Sequence, residues 1–181
     1  MSNLKFLVSR LASEVIEGNE DSFSELVISL QKPLYAFAYK HLNKPEEAVD
    51  AVQETLIRLH KKLQEPVATE NLLSWCFTVC RNLCLDLLRN NQKIIYGATL
   101  ADPSHTPDMT EKLRVSEIHN CLDLLPQESK DIIVLAMEEE LSQDDISQIL
   151  GIPVGTVKSK LHYARKKLRA ILRERGYGTE T

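Results

Sequence analysis

The sequence predicts an all-α protein made of two small helical bundles joined by a flexible linker, with a helix-turn-helix in the C-terminal bundle. Apolar residues recur at helical spacing along most of the chain, and no extended alternation of apolar and polar residues indicates a sheet. Glycine is scarce, with 6 among 181 residues. Gly97 and Pro103 interrupt the helical pattern in a polar stretch between the bundles. We therefore expect domains at 1–92 and 111–181, with a linker at 93–110.

The N-terminal bundle is expected to contain five amphipathic helices. Pro33 and Pro45 are each placed at a helix start, because the first amides of a helix have no internal partner and proline is tolerated there. Thr69 is a suitable cap for the fifth helix, which is apolar around much of its circumference and is therefore expected at the centre of the bundle. The expected helices run from Leu4 to about Gly18, over 21–31, from Pro33 to Leu42, over 45–64 and over 70–90.

Residues 141–173 have the pattern of a helix-turn-helix, preceded by helices near 110–124 and 127–139. Ser142 and Asp145 have capping-box spacing, and Gly151 suits the left-handed position that ends a helix. After Pro153, apolar residues again recur at helical spacing. A short helix, a tight turn and a basic second helix place side chains in the major groove of DNA. The basic residues of the second helix are Lys158, Lys160, Arg165, Lys166, Lys167, Arg169 and Arg173.

The charge distribution agrees with a DNA-binding C-terminus, although the net charge of −4 argues against a general nucleic-acid binder. Residues 115–151 carry 1 basic and 9 acidic side chains, whereas 152–181 carry 8 basic and 2 acidic ones. The sign therefore reverses at the turn of the helix-turn-helix. A basic stripe of this kind can meet phosphates, while the acidic part repels DNA or meets a basic protein surface. The alternative is two ordinary solvated helix faces.

Three cysteines, Cys76, Cys80 and Cys84, repeat every four residues, and Cys121 lies apart. Their spacing places the thiols on one helix face, which is compatible with a metal or redox sensor. A metal site needs ligands from more than one element, and neither a Cys-x-x-Cys pair nor an adjacent histidine pair is present. We favour packing, because cysteine in an apolar helix behaves as a small buried hydrophobe.

The sequence contains no pattern typical of an enzyme. There is no Gly-rich phosphate loop, no nucleophile–base pair and no convincing acid pair, and the histidines are scattered. We expect no catalytic residue, no metal, no cofactor and no small-molecule substrate. The chain also lacks an apolar run of roughly 18 residues and a recognisable signal peptide, so we expect a cytoplasmic protein.

Three stretches together resemble the bacterial RNA polymerase sigma factors of the sigma-70 family, extracytoplasmic-function subfamily. Residues 46–58 (EEAVDAVQETLIR) are similar to region 2.2 of that family, and residues 75–89 (WCFTVCRNLCLDLLR) to regions 2.3 and 2.4. The helix-turn-helix, especially 155–161 (GTVKSKL) with Ala164 and Arg165, is similar to region 4.2. Leu125-Pro126 matches the usual start of region 4. The three stretches occur in the family's order and span nearly the whole chain.

The resemblance implies three contact surfaces. One set of residues would bind the clamp helices of the largest polymerase subunit, one the non-template strand of the −10 promoter element, and one the −35 element. The C-terminal bundle would also meet the flap of the second-largest subunit. The polymerase set is Asp50, Gln53, Glu54 and Arg58; the −10 set is Thr69, Asn71, Trp75, Arg81, Asn82, Asp86 and Arg89; the −35 set is Gly155, Thr156, Lys158, Ser159, Lys160, His162, Tyr163, Arg165, Lys166 and Arg169.

The sequence departs from the family at two points. Many relatives carry a dense basic cluster after the position of Arg89, where this chain has only Lys93. Tyr163 stands where many relatives have arginine, so no guanine contact is transferred to it. The resemblance also implies an anti-sigma factor as a partner. Two alternatives stay open: a sigma-like module that binds an anti-sigma protein without reading a promoter, and a simple helix-turn-helix regulator that binds an operator.

Overall fold

A computed structural model describes residues 3–65, 68–95, 120–137 and 141–176 of the chain. Within these ranges the chain is helical and has no strand, which confirms the all-α class. Residues 120–123 are helical too. The helices with defined bounds are α1 (Asn3–Ile16), α2 (Glu20–Leu42), α3 (Pro45–Leu63), α4 (Leu72–Ile95), α5 (Gln127–Ala136), α6 (Gln143–Leu150) and α7 (Val154–Glu174).

Helices α1 to α4 form the first bundle, with α2 in contact with each of the other three. Its core is apolar and includes Phe37 of α2 and Phe77 of α4, whose rings meet edge to face at 5.3 Å between centroids. Gly18 has a φ of 98° and separates α1 from α2, as predicted. Pro45 is the first residue of α3, also as predicted. No helix in the described part of the chain is long and apolar enough to cross a membrane.

Helix α2 is continuous through Pro33, so the prediction that a new helix begins at that proline is wrong. Proline inside a helix removes an amide donor and crowds the carbonyl of the preceding turn, which costs about 3 kcal/mol. Leu26 and Leu30 before the proline and Leu34 and Phe37 after it are all fully buried on the same side of the helix. Their shared burial compensates for the local cost of the proline and keeps α2 a single continuous helix.

Helix α4 contacts each of the other three helices of the first bundle, as α2 does, so the two share the central position that the apolar sequence of α4 predicts for it alone. Leu72, Leu73 and Phe77 are buried, together with the repeating cysteines. The helix begins at Leu72 and continues to Ile95, three residues into the range expected as linker. Residues 96–119 lie outside the described part of the chain, so the predicted domain boundaries remain a prediction.

Helices α5, α6 and α7 form the second bundle and contain the predicted helix-turn-helix. The amide of Asp145 donates to Oγ of Ser142, and the amide of Ser142 donates to the Asp145 carboxylate, which confirms the capping box. Gly151 has a φ of 65° and ends α6 in the left-handed conformation. Val157, Leu161 and Ala164 then bury one side of α7. The opposite side of α7 is thereby held towards solvent.

The two bundles pack against each other. Helix α6 contacts α4, and α5 contacts α2, so the buried apolar residues of both bundles form one continuous cluster. This docking brings acidic residues of the second bundle against basic residues of the first. Sequence reasoning did not predict it.

Candidate functional site

The outer face of α3 carries the four residues expected to bind polymerase. Asp50, Gln53, Glu54 and Arg58 follow one another at helical spacing. Nε of Arg58 donates to Glu54 at 2.8 Å in an exposed pair. The structure therefore brings these four residues together on one surface. Ile57 lies within that surface and is 50% exposed.

Ile57 was not identified from the sequence. Isoleucine in an amphipathic helix is normally assigned to the buried stripe, and that stripe here consists of other residues. Ala48, Ala51, Val52 and Leu59 face inward, and Oγ1 of Thr55 donates to the backbone oxygen of Ala51 at 2.7 Å. The helical spacing could have identified Ile57, because position 57 falls four residues after Gln53 and therefore on the polar side of the helix. An apolar side chain among charges is a suitable anchor for a protein partner.

One face of α4 collects most of the residues expected at the −10 element. Asn82, Asp86 and Arg89 are exposed at helical spacing on this face, and Asn71 is exposed just before the helix begins. Trp75 lies on the same side but is half-buried and packs against the core. Nη1 of Arg89 donates to Asp86 at 3.1 Å on this surface. Nζ of Lys62, from α3, lies 5.3 Å from the centroid of the Trp75 ring. A cation over a half-buried indole holds the ring in place beside the polar groups.

Thr69 and Arg81 do not share that face. The hydroxyl of Thr69 lies 3.1 Å from Oγ of Ser9 and 3.3 Å from Oγ of Ser13, so it contacts α1. Arg81 points towards the second bundle, where its guanidinium binds Asp131. The expected −10 set is thus divided in this structure.

The exposed face of α7 forms a basic groove. Lys158, His162, Arg165, Lys166 and Arg169 share it at helical spacing. These side chains, together with Leu161 and Gln143, line a groove of about 520 Å³. Gln143 comes from the first turn of α6 and was not predicted, since nothing in its local sequence distinguishes it from a surface glutamine. The groove offers positive charge and amide hydrogen bonds, which suits phosphates and base edges.

Several residues expected at the −35 element lie elsewhere on α7. Lys160 faces α5, where its ammonium lies 2.6 Å from a carboxylate oxygen of Glu128. The amide of Thr156 donates to the backbone oxygen of Pro153 at 2.8 Å, so this amide is already used at the start of the helix. Gly155 and Ser159 are exposed at the start of the helix. Tyr163 is 65% exposed, and its ring meets that of His162 at 5.7 Å between centroids.

Two buried acids in the second bundle are held in the charged form. Burial of Asp131 opposes ionisation, but the hydrogen bond from His41 and the charge of Arg81 outweigh it, so the pKa of Asp131 is lowered. Burial likewise opposes ionisation of Asp145, and hydrogen bonds from Lys5 and Ser142 outweigh it and lower its pKa. Both carboxylates are therefore anionic partners of the basic groups around them at neutral pH.

The cysteines are buried packing residues, as predicted. Cys76, Cys80, Cys84 and Cys121 have no exposed surface and form no disulfide. Burial raises the pKa of the Cys76 thiol, and a hydrogen bond with Cys80 together with burial raises that of Cys84. Thiols of this kind are poor nucleophiles and poor metal ligands. Among the described residues, no group of three or more histidine, cysteine or acidic side chains is placed to hold a metal ion.

Two family models match the chain, in the order of its bundles. Residues 26–94 match Sigma-70 region 2. Residues 116–168 match Sigma-70, region 4. The first match includes all of α3 and nearly all of α4, and the second includes the whole helix-turn-helix up to the middle of α7. The matched ranges therefore contain the surfaces of α3 and α4 and all of the groove of α7 except Arg169.

Several known sigma factors are similar to the chain over most of its length. An ECF RNA polymerase sigma factor of Bacillus subtilis, SigW, is 27% identical over 186 residues, covering 94% of this chain and 100% of SigW. EcfG of Rhodopseudomonas palustris, with the same description, is 32% identical over 158 residues, covering 84% of this chain and 86% of EcfG. SigL of Mycobacterium tuberculosis is 34% identical over 152 residues, covering 79% of this chain and 84% of SigL.

Solved structures show the same architecture. CnrH, solved in complex with the cytosolic domain of CnrY, matches with a TM-score of 0.75 over 93% of this chain and 98% of CnrH, at 23% identity. The sigma factor RpoE of Bartonella quintana was solved with the anti-sigma factor NepR. It matches with a TM-score of 0.69 at 26% identity, over 83% of this chain and 96% of RpoE. With both region models matched and relatives above 30% identity over most of their length, the chain belongs to the ECF family of RNA polymerase sigma factors.

Proposed function

We propose that the chain binds core RNA polymerase, recognises the −35 and −10 elements of a promoter, and initiates transcription of a specific set of genes. Membership of the sigma factor family supports this role as a whole. The observation that carries the DNA-binding part is the basic groove of α7, which is open to solvent in a chain of net negative charge. The acidic remainder of the second bundle does not favour duplex DNA, so duplex binding is directed to that groove.

Helix α3 is the proposed contact with the clamp helices of the largest polymerase subunit. Its surface combines Asp50, Gln53 and the Glu54–Arg58 pair with the exposed Ile57. An apolar anchor surrounded by charged groups is typical of a protein interface, because the charges orient the partner and the apolar side chain is desolvated on binding. The flap of the second-largest subunit is the proposed contact of the second bundle.

Helix α4 is the proposed reader of the −10 non-template strand. Its outer face offers the Trp75 ring for stacking, amides at Asn71 and Asn82 for base edges, and Arg89 for phosphate. Single-stranded DNA is bound by this combination of aromatic platforms and cations. Thr69 and Arg81 belong to the same proposed set and reach the strand once their present contacts are released.

Helix α7 is the proposed reader of the −35 element. Lys158 and His162 lie in its early turns, where base edges are reached, and Arg165, Lys166 and Arg169 follow as phosphate contacts. Gly155, Thr156 and Ser159 lie at the start of the helix near the DNA backbone, and Tyr163 offers a ring for a sugar or a thymine methyl. Lys160 belongs to the set by sequence but lies at its edge, paired with Glu128.

An anti-sigma factor is the proposed regulatory partner. The two solved structures described above are each a complex with a second protein, named an anti-sigma factor in the case of NepR. The chain supplies no chemistry of its own in this proposal, since the polymerase forms the phosphodiester bonds. It acts where the polymerase acts, in the cytoplasm.

The direct test is transcription with purified core polymerase and a library of promoter sequences. We expect transcripts that depend on both the chain and a shared pair of sequence elements. Binding to core polymerase without any transcript would instead favour a sigma-like module that serves only an anti-sigma protein. Binding to duplex DNA without binding to core polymerase would favour a simple operator-binding regulator.

A further inference from the structure

Lys62 connects the end of α3 to the start of α4 through an aromatic contact. It lies in the last turn of α3, and Trp75 lies in the first turn of α4. Nζ of Lys62 is 5.3 Å from the centroid of the indole ring, and both side chains are half-buried. The ammonium therefore lies over the ring that is proposed to stack on a base of the −10 strand.

The charge of Lys62 is not shared with a carboxylate. Among the residues that the structure describes, none of the ion pairs includes Lys62. The two arginines assigned to the −10 strand differ in this respect, because Arg81 is paired with Asp131 and Arg89 with Asp86. Within the described residues, Lys62 is therefore a cation beside the −10 face whose charge no acid of the chain offsets.

The ring contact separates Lys62 from its neighbour Lys61. Lysine in the last turn of a helix also complements the helix dipole, and this ordinary explanation applies to both residues. Lys61 is exposed, whereas the ammonium of Lys62 is attracted to the negative face of the Trp75 ring, which fixes its position. An ammonium carries three N–H donors, so one that is held over a ring can still donate to a phosphate.

We infer that Lys62 is a further DNA-binding residue of the −10 site, which positions the Trp75 ring and binds the strand phosphate next to the stacked base. The inference rests on the proposed function, because that proposal assigns the outer face of α4 to the −10 strand. It also accounts for a departure of the sequence from its family. Many relatives carry a basic cluster after the position of Arg89, where this chain has only Lys93, and Lys62 supplies positive charge from another helix.

Tryptophan fluorescence tests the ring contact in the free full-length chain. The sequence has a single tryptophan, so emission excited at wavelengths that tyrosine does not absorb reports on Trp75 alone. We expect Lys62→Met, which keeps the length of the side chain and removes its charge, to change the emission spectrum. Lys62→Arg should be closer to the wild type, and the matched control Lys61→Met should keep the wild-type spectrum. A wild-type spectrum in folded Lys62→Met would overturn the ring contact.

Binding of the same proteins to a fluorescent single strand carrying the −10 element tests the phosphate contact. We expect Lys62→Met to weaken binding about tenfold at low salt, and to reduce the log–log salt slope by about 0.7, the value for one phosphate of a single strand. Lys62→Arg should restore most of the affinity, because a guanidinium keeps both the ring contact and the donors to phosphate. Lys61→Met should change the affinity less than about twofold. Affinity for a −35 duplex should stay the same in all three variants.

Two results would overturn the inference while the proposed function stands. One is wild-type strand affinity in Lys62→Met, and the other is an equal loss in Lys61→Met, which would reflect net charge and not this position. If the wild type itself does not bind the strand, the −10 assignment fails and the phosphate contact with it, while the emission spectra still decide whether Lys62 holds the ring. Far-UV circular dichroism checks folding. If Lys62→Met does not fold, Lys62→Gln replaces it and carries the same expectation.

Discussion

At the scale of single residues, Ile57 is the most informative side chain of the proposed polymerase surface. It lies among Gln53, Glu54 and Arg58 and is half exposed, although isoleucine usually belongs to the buried stripe of a helix. The buried side of α3 is already filled by Ala48, Ala51, Val52 and Leu59 and does not use it. Its position is explained if a partner covers it.

Replacing Ile57 by aspartate is therefore expected to weaken binding to core polymerase by at least about tenfold, because the anchor is lost and a charge must be desolvated. Folding should be unaffected, since the side chain is not in the core. Fluorescence anisotropy of the labelled chain titrated with core polymerase measures the change. Ile28→Asp is the matched control, as Ile28 is 69% exposed on α2. Equal losses in both variants would argue against a specific role for Ile57.

Lys160 and Arg165 represent two kinds of basic residue on α7, one paired with an acid of α5 and one lining the groove. Arg165 lines the groove, whereas the ammonium of Lys160 lies 2.6 Å from Glu128 on the other side of the helix. We expect Arg165→Ala to weaken binding to a −35 duplex and to reduce the log–log salt slope by about 0.9, the value for one lost phosphate contact. Lys160→Ala should leave both nearly unchanged. Anisotropy titrations at several salt concentrations measure this, and a larger effect at Lys160 would contradict the assignment of the face.

At the scale of elements, the sequence predicts best where the signal is local. The capping box of Ser142 and Asp145 and the left-handed Gly151 are short-range features, and both are found as predicted. Pro33 shows the opposite case: its local preference for a helix start is overcome by buried leucines on either side, which keep α2 continuous. Tertiary packing outweighs local propensity when it acts on both sides of a break.

The capping box gives a stability prediction for the second bundle. Ser142→Ala removes the acceptor for the amide of Asp145 and should lower the free energy of unfolding by about 1 kcal/mol. Urea unfolding followed by circular dichroism provides the measurement. Ser24→Ala, at an exposed position of α2, is the control and should change stability by less than about 0.5 kcal/mol. A Ser142 variant as stable as that control would show that the cap contributes little.

At the scale of the whole molecule, the docking of the two bundles was beyond sequence reasoning. Asp131 and Arg81 are separated by 50 positions, and Asp145 and Lys5 by 140. Each of these residues taken alone resembles an ordinary surface charge, and the family resemblance assigns Arg81 to DNA. The helices, the polar face of α3 and the basic face of α7 can be predicted from the periodicity of the sequence. Contacts between elements that are distant in the chain produce no periodic pattern and cannot be predicted in this way.

The same acids predict how stability depends on pH. Folding lowers the pKa values of Asp131 and Asp145, so their contribution is complete above their pKa in the unfolded chain, about 4, and is lost as pH falls through the folded pKa values. We expect the free energy of unfolding to decrease between about pH 6 and about pH 3, and to decrease less in Asp131→Asn. Urea unfolding at both pH values measures the difference. The same decrease in variant and wild type would exclude Asp131 as a contributor.

The central claim is that the chain directs core polymerase to a promoter and opens it at the −10 element. Permanganate reactivity of −10 thymines in a selected promoter measures this opening directly. We predict reactive thymines when the chain, core polymerase and promoter are combined, and none when either protein is omitted. Promoter DNA that is bound by the combined proteins but stays unreactive at the −10 element would contradict the claim.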